Sequence, residues 1–361
     1  MKTFVIAEAG VNHNGSLERA MEMVDAAAAA QADAVKFQTF VTEKVISRNA
    51  PKAEYQLRTT APTESQFEMV KKLELSAEAH LQLLERARKH GIQFLSTPFD
   101  LESLDLLAGR FDLPMLKIPS GEITNAPLLL GAARTGKPLI VSTGMCTLAD
   151  IELALGVLAF GYGDSEGKPS LPAFRMAYAS REGQEALREK VSLLHCTTEY
   201  PAPFSEINLH AMDTLQAAFG LRVGLSDHSQ GISIPIAAVA RGARVIEKHF
   251  TLDRTLPGPD HAASLEPGEL AQMMRAIREV EAALGVPLKA PTPSEIKNLA
   301  IGRKSLVAAE RIAEGGTFTE ANLISKRPGT GVSPYLFWDL LGKRANRPYQ
   351  IDELIDGDTY L

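Results

Sequence analysis

The chain has 361 residues, 45% of them hydrophobic and 23% charged, enough to bury a full-sized core plus one small extra domain. A formal charge of −6 argues against a nucleic-acid binder, so an anionic ligand must be held by local lysines rather than by a global field. No stretch approaches about 18 apolar residues, MKTFVIAEAG is too short an apolar run for a signal peptide, and Cys146 and Cys196 are the two cysteines; the expectation is a cytoplasmic protein with reduced thiols and no membrane span.

Eight short apolar runs follow in chain order: FVIAEAG (4–10), AVKFQTF (34–40), QFLSTPF (93–99), MLKIPS (115–120), PLIVSTG (138–144), VSLLHCT (191–197), RVGLSD (222–227) and RVIEKHF (244–250). Their apolarity is continuous rather than alternating, as in parallel strands covered on both faces. Helical patterns separate them, among them LERAMEMVDAAAAAQA, AEAHLQLLERARKHG and LADIELALGVLAFG, and ELAQMMRAIREVEAALG follows the last. Strand and helix alternating eight times predict a closed (β/α)₈ TIM barrel.

Two stretches interrupt the rhythm. Residues 41–76 form a long excursion after the second strand, where a βα loop can line the mouth of a site. Residues 161–190 precede the sixth strand, at the opposite end of the barrel, and read as a peripheral insertion with a charged helix. The Pro-rich segment GVPLKAPTPSEIKN marks a linker, so the expected organisation is a barrel over 1–285, a linker over 286–299 and a small domain over 300–361. About 60 residues bury too little surface to be very stable alone, which predicts docking on the same or a partner chain.

Nearly every strand ends in residues able to do chemistry: Glu8, Lys36 with Gln38, Thr97, Lys117 with Ser120, Ser142, Thr198 with Tyr200, Asp227 with His228, and His249. Active sites of such barrels are built from these C-terminal strand ends. His228 and His249 close the seventh and eighth strands, neighbours in a closed barrel, so their imidazoles can converge on one ion. Two neutral nitrogens leave coordination positions open, which suits Mn²⁺ or Mg²⁺ better than structural zinc. Residues two apart share a face, pairing Glu247 with His249, Ser226 with His228 and Lys36 with Gln38. Lys36 and Lys117 then point into or over an apolar interior, where an ammonium needs an anion; Thr97, Ser120 and Ser142 add hydroxyl donors for a phosphate and a carboxylate.

The blocks FVIAEAGVNHNGS, DAVKFQTF, STPFD, LKIPSGEITN, VSTGM, LHCTTEYPAP, VGLSDHSQGI and VIEKHFTLDRTLPGPDHAASLEP resemble, in order, those of the sialic acid synthase family, and ISKRPGTGVSP resembles that family's C-terminal antifreeze-like (SAF) domain. The resemblance implies condensation of phosphoenolpyruvate with an N-acylated mannosamine-type aldose, a divalent cation, and a domain-swapped homodimer. It makes Glu247, Glu122 and Asp260 further carboxylates near the reacting centre beside Glu8, which would position or deprotonate the water. Lys36, Thr97, Lys117, Ser120, Ser142 and Ser226 would hold phosphoenolpyruvate. Gln38, Thr198 and Tyr200 would contact the sugar, and Arg327 would reach from one subunit's small domain to the N-acyl carbonyl in the other's site. Thr198 stands where the family often has Asn. TTEYPAP and GPDHAASLEP look more like the legionaminate branch than the neuraminate one, with the pseudaminate branch behind both. Two readings from other classes stay open: an aldolase with a Lys117 Schiff base, and a non-catalytic carbohydrate or ice binder.

Overall fold

The computed structural model describes residues 2–60, 63–163 and 167–357. Eight parallel strands occur in the first unit, Met1–Gly285: β1 Phe4–Gly10, β2 Ala34–Thr39, β3 Gln93–Pro98, β4 Leu116–Ile118, β5 Leu139–Ser142, β6 Val191–Cys196, β7 Arg222–Asp227 and β8 Val245–His249. They pair in the order β3-β2-β1-β8-β7-β6-β5-β4, and β3 packs beside β4 to close the barrel.

The two faces of the strands bury different things. Outward residues such as Val5, Ala7, Val35, Phe37, Ile118, Val141, Leu193 and Ile246 join the main core under the helices. Inward, Ile6, Ala34, Leu95, Ile140, Leu194 and Val245 form a separate apolar plug, with Phe4 and Met115 packed against it. Two residues further along each strand, the same inward face carries Glu8, Lys36, Thr97, Lys117, Ser142, Cys196, Ser226 and Glu247. Gly224 belongs to the plug's level on β7: a Cβ there would collide with the Val245 carbonyl oxygen and Leu194, so only glycine lets β7 approach β8.

The excursion after β2 folds into three short helices, Thr42–Val45, Glu54–Thr59 and Gln66–Lys71. The Thr42 backbone N–H donates to Glu74 at 2.6 Å and the Val41 N–H to Asp100 at 2.9 Å, so the excursion is clamped where it leaves and rejoins the barrel. The insertion before β6 has a structural use. The helix Leu148–Tyr162 buries residues nearly all round, and the helices Leu171–Ala179 and Arg181–Lys190 pack on its outer side.

The second unit, Val286–Leu361, has its own small core of Leu306, Ala308, Ile312, Phe318, Leu323, Val332, Leu340 and Tyr349 around the antiparallel pair β9 Ser305–Ala308 and β10 Leu323–Lys326. The expected linker over 286–299 is corrected here: Pro293–Gly302 is a helix. Thr292 caps it in a box with Glu295, and Pro293 sits at its first turn, where proline starts a helix rather than breaking one. Among the described residues no helix is long and apolar enough to cross a membrane.

Candidate active site

A cavity of about 260 Å³ opens above the inward polar layer. The layer is an ion network: Lys36 Nζ lies 2.7 Å from Glu8 and 3.5 Å from Glu247, Lys117 Nζ lies 3.4 Å from Glu247, and all four side chains are at least 95% buried. Lys36 also donates to Thr97 Oγ1 at 2.8 Å, and Ser226 Oγ to Glu247 at 2.8 Å. Two carboxylates facing two ammoniums make the layer formally neutral before any ligand enters.

That balance splits the two acids. Burial, with Glu247 adding to it, lifts Glu8 to about 7 despite Lys36. Burial also works to raise Glu247, but Lys117, Lys36 and the Ser226 hydroxyl outweigh it and hold that acid at about 2. One stays ionised throughout; the other is poised to exchange a proton near neutrality. Burial lowers Lys117, with Glu247 opposing, whereas Lys36 is raised because Glu247 and Glu8 overcome its burial.

Above this layer the rings of His228 and His249 stand 5.3 Å apart, and Tyr200 packs 4.0 Å from His228. His228 Nδ1 is 2.7 Å from the Thr197 carbonyl, which directs its other nitrogen into the cavity. His228 is held at about 9: burial lowers it, but Cys196 and the Thr197 carbonyl carry it up. His249 is pushed well below its usual value by burial and by His228, its Nδ1 has no hydrogen-bond partner among the described residues, and Asp260 stands 3.7 Å away. Burial raises Asp260 to about 6. Among the described residues no three His, Cys, Asp or Glu side chains form a closed metal-binding set, so an ion here would have two imidazoles and open positions for outside oxygens.

The cavity wall brings together every residue singled out in the sequence except Glu122, Asp227 and Arg327, Asp227 being turned outward onto Lys248. Glu122, half-buried in the turn Ser120–Glu122, accepts from Asn125 at 2.6 Å and steadies the residue that caps the helix Ala126–Arg134. Arg327 lies in the second unit, where its Nε donates to the Gly302 carbonyl at 3.1 Å. Ser142 Oγ and Thr198 Oγ1, both buried, have no hydrogen-bond partner among the described residues, a costly state for a hydroxyl unless a ligand takes it up. Gly144 makes room between Thr198 and Ser120: a Cβ there would strike Thr198 Oγ1 and lie 2.8 Å from Ser120 Oγ.

Sequence reasoning missed three parts of the wall. Tyr55, from the excursion, lies 5.0 Å from the Tyr200 ring. Cys196 sits 3.7 Å from His228 Nδ1 in the polar layer. Val11, Phe40, Val45, Ile46, Met69, Val70, Leu73 and Phe99 form an apolar side, part of a small separate core. The alternation on β6 pointed to Cys196; nothing local pointed to the excursion residues, whose burial depends on how it folds back.

The profile of the NeuB family matches residues 23–289. The chain is 51% identical to the N,N'-diacetyllegionaminic acid synthase of Campylobacter jejuni, over 98% of this chain and 99% of that protein. It is 44% identical to the N,N'-diacetyllegionaminic acid synthase of Legionella pneumophila, over 95% of this chain and 90% of that one. Among solved structures, the N-acetylneuraminic acid (sialic acid) synthetase of Leptospira borgpetersenii, in complex with citrate, superposes with a TM-score of 0.66 at 34% identity, covering 82% of this chain and 90% of that one.

Proposed function

This chain belongs to the NeuB, or sialic acid synthase, family, and from that premise we propose that it is an N,N'-diacetyllegionaminate synthase. Phosphoenolpyruvate would condense with 2,4-diacetamido-2,4,6-trideoxymannose and water, releasing phosphate. The observation that carries the reading is the buried layer of Glu8, Lys36, Lys117 and Glu247 beneath the paired imidazoles of His228 and His249.

Lys36 and Lys117 are the groups to receive the carboxylate and phosphate, with Thr97, Ser120 and Ser142 donating hydrogen bonds, while the Ser226 hydroxyl stays on Glu247. His228 and His249 would hold Mn²⁺ or Mg²⁺, which supplies Lewis-acid polarisation of the sugar C1 carbonyl. A cation at the other nitrogen of His228 would displace the proton which that nitrogen otherwise carries, Nδ1 being committed to Thr197.

The carbon–carbon bond forms between C3 of phosphoenolpyruvate and C1 of the open-chain sugar. Water adds at C2, and its first proton passes to Glu8, the buried carboxylate poised near neutrality. The C1 oxygen takes a proton and becomes a hydroxyl. As the C2 carbonyl forms, the second water proton is lost and the C–O bond to phosphate breaks. Glu247, held ionised, keeps the two lysines in place and counterbalanced. Gln38, Thr198, Tyr200 and Asp260 are the sugar-facing polar groups, and Arg327 is assigned to the N-acyl carbonyl in a partner subunit of a domain-swapped homodimer.

The test is phosphate release from phosphoenolpyruvate with each candidate sugar. Release with the diacetamido trideoxy sugar, abolished by EDTA, is the expected result; release with N-acetylmannosamine alone would move the assignment to the neuraminate branch. Borohydride trapping of Lys117 would instead favour Schiff-base chemistry.

A further inference from the structure

The cavity has two chemically different halves. Its floor and one side are the ionic and hydroxyl groups of the strand ends; its other side is apolar, made by Val45, Ile46, Met69, Val70 and Leu73 of the excursion against Phe99. Such a wall is unusual around a polyol, because each hydroxyl pressed against it loses its hydrogen bonds to water without replacement. It suits a sugar whose far end carries methyl groups.

We propose that Val45, Ile46, Met69, Val70 and Leu73 form the specificity wall of the site, receiving the C4–C6 end of the sugar and selecting its acetamido and C6 methyls over hydroxyls. This rests on the function proposed above and adds which residues read the sugar. The direction follows from the chemistry. C1 must lie at the imidazoles and the lysine layer to react, so C4–C6 project away from them, and the excursion supplies most of the apolar lining of the cavity. Tyr55 against Tyr200 joins the two halves at a ring separation of 5.0 Å. The clamp from Thr42 to Glu74 fixes the wall in position rather than leaving it a loose loop. An apolar surface rejects an added hydroxyl only moderately, by up to about 100-fold, so the discrimination is one that a few side chains can reverse.

The experiment replaces methyl by hydroxyl without changing shape: Val45→Thr and Val70→Thr, singly and together. The measured quantity is kcat/KM for 2,4-diacetamido-2,4,6-trideoxymannose divided by that for N-acetylmannosamine. A fall in this ratio of fivefold or more in the double variant supports the proposal, and a smaller change overturns it. Should the double variant not fold, as read by its Tm, Val45→Thr alone decides by the same threshold. A wild-type protein inactive on the trideoxy sugar would refute the proposed function itself; an active wild type with an unmoved ratio would refute only the wall's role.

Discussion

Glu8 and Glu247 are the same residue type within reach of the same lysine, yet one is held near 7 and the other near 2. The difference is that Glu247 faces both Lys36 and Lys117 and takes a hydroxyl from Ser226, while Glu8 meets chiefly Lys36. If Glu8 accepts the water proton, kcat/KM falls about tenfold per pH unit below about 7 and levels off above it, since the ionised form is the active one. Glu8→Gln is expected to lower kcat by about 100-fold or more and to remove that inflection from the pH profile; a variant that keeps the inflection would assign it elsewhere. Gly144→Ala places a methyl between Thr198 and Ser120, and is expected to raise the KM for phosphoenolpyruvate at least about tenfold with a small drop in Tm. At this scale the sequence is informative wherever a residue ends a strand: strand-end position and alternation together aim Lys36, Lys117, His228 and His249 at the cavity. Glu122 lies in a turn after β4, where no alternation constrains its direction.

At the scale of elements, β7 and β8 are locked behind the site as well as within it. Lys248 and Asp227 occupy the outward register and form a fully buried ion pair at 2.7 Å, with Lys248 also donating to the Ser229 carbonyl. This pair sets the loop that carries His228. Asp227→Asn leaves an ammonium buried beside a neutral amide and is expected to cost about 3–5 kcal/mol, measured as a lower urea midpoint. Replacing both partners by Leu and Met should recover much of that loss, since no charge is then left unpaired. The strands themselves are legible because continuous apolar runs of six or seven residues have few other fates. The helix Pro293–Gly302 was not, because its prolines read as a linker; the Thr292 to Glu295 spacing was the overlooked signal of a helix start. The excursion's apolar wall lay beyond local pattern altogether, since it depends on the contact between Thr42 and Glu74 across its ends.

For the molecule as a whole, each unit has its own core, and the cavity is lined entirely by the first. Arg327, in the second, therefore tests whether that unit takes part in the reaction. Arg327→Ala is expected to raise the sugar KM far more than that for phosphoenolpyruvate, its assigned partner being the sugar amide; equal changes would remove it from that role. The barrel and its polar layer were readable from sequence because both follow from one alternation repeated around eight strands, whereas relations between distant segments left no such trace. The plug of Ile6, Ala34, Leu95, Ile140, Leu194 and Val245 has a kinetic corollary. It makes the site a shaft stopped at its base, with the lysines seated on the stopper and the imidazoles nearer the rim. Cargo enters such a shaft in sequence, the enol phosphate descending first and the aldose closing over it. Initial-rate data should then show intersecting lines and a compulsory order, and sugar admitted ahead of its co-substrate should act as an inhibitor by blocking the way down.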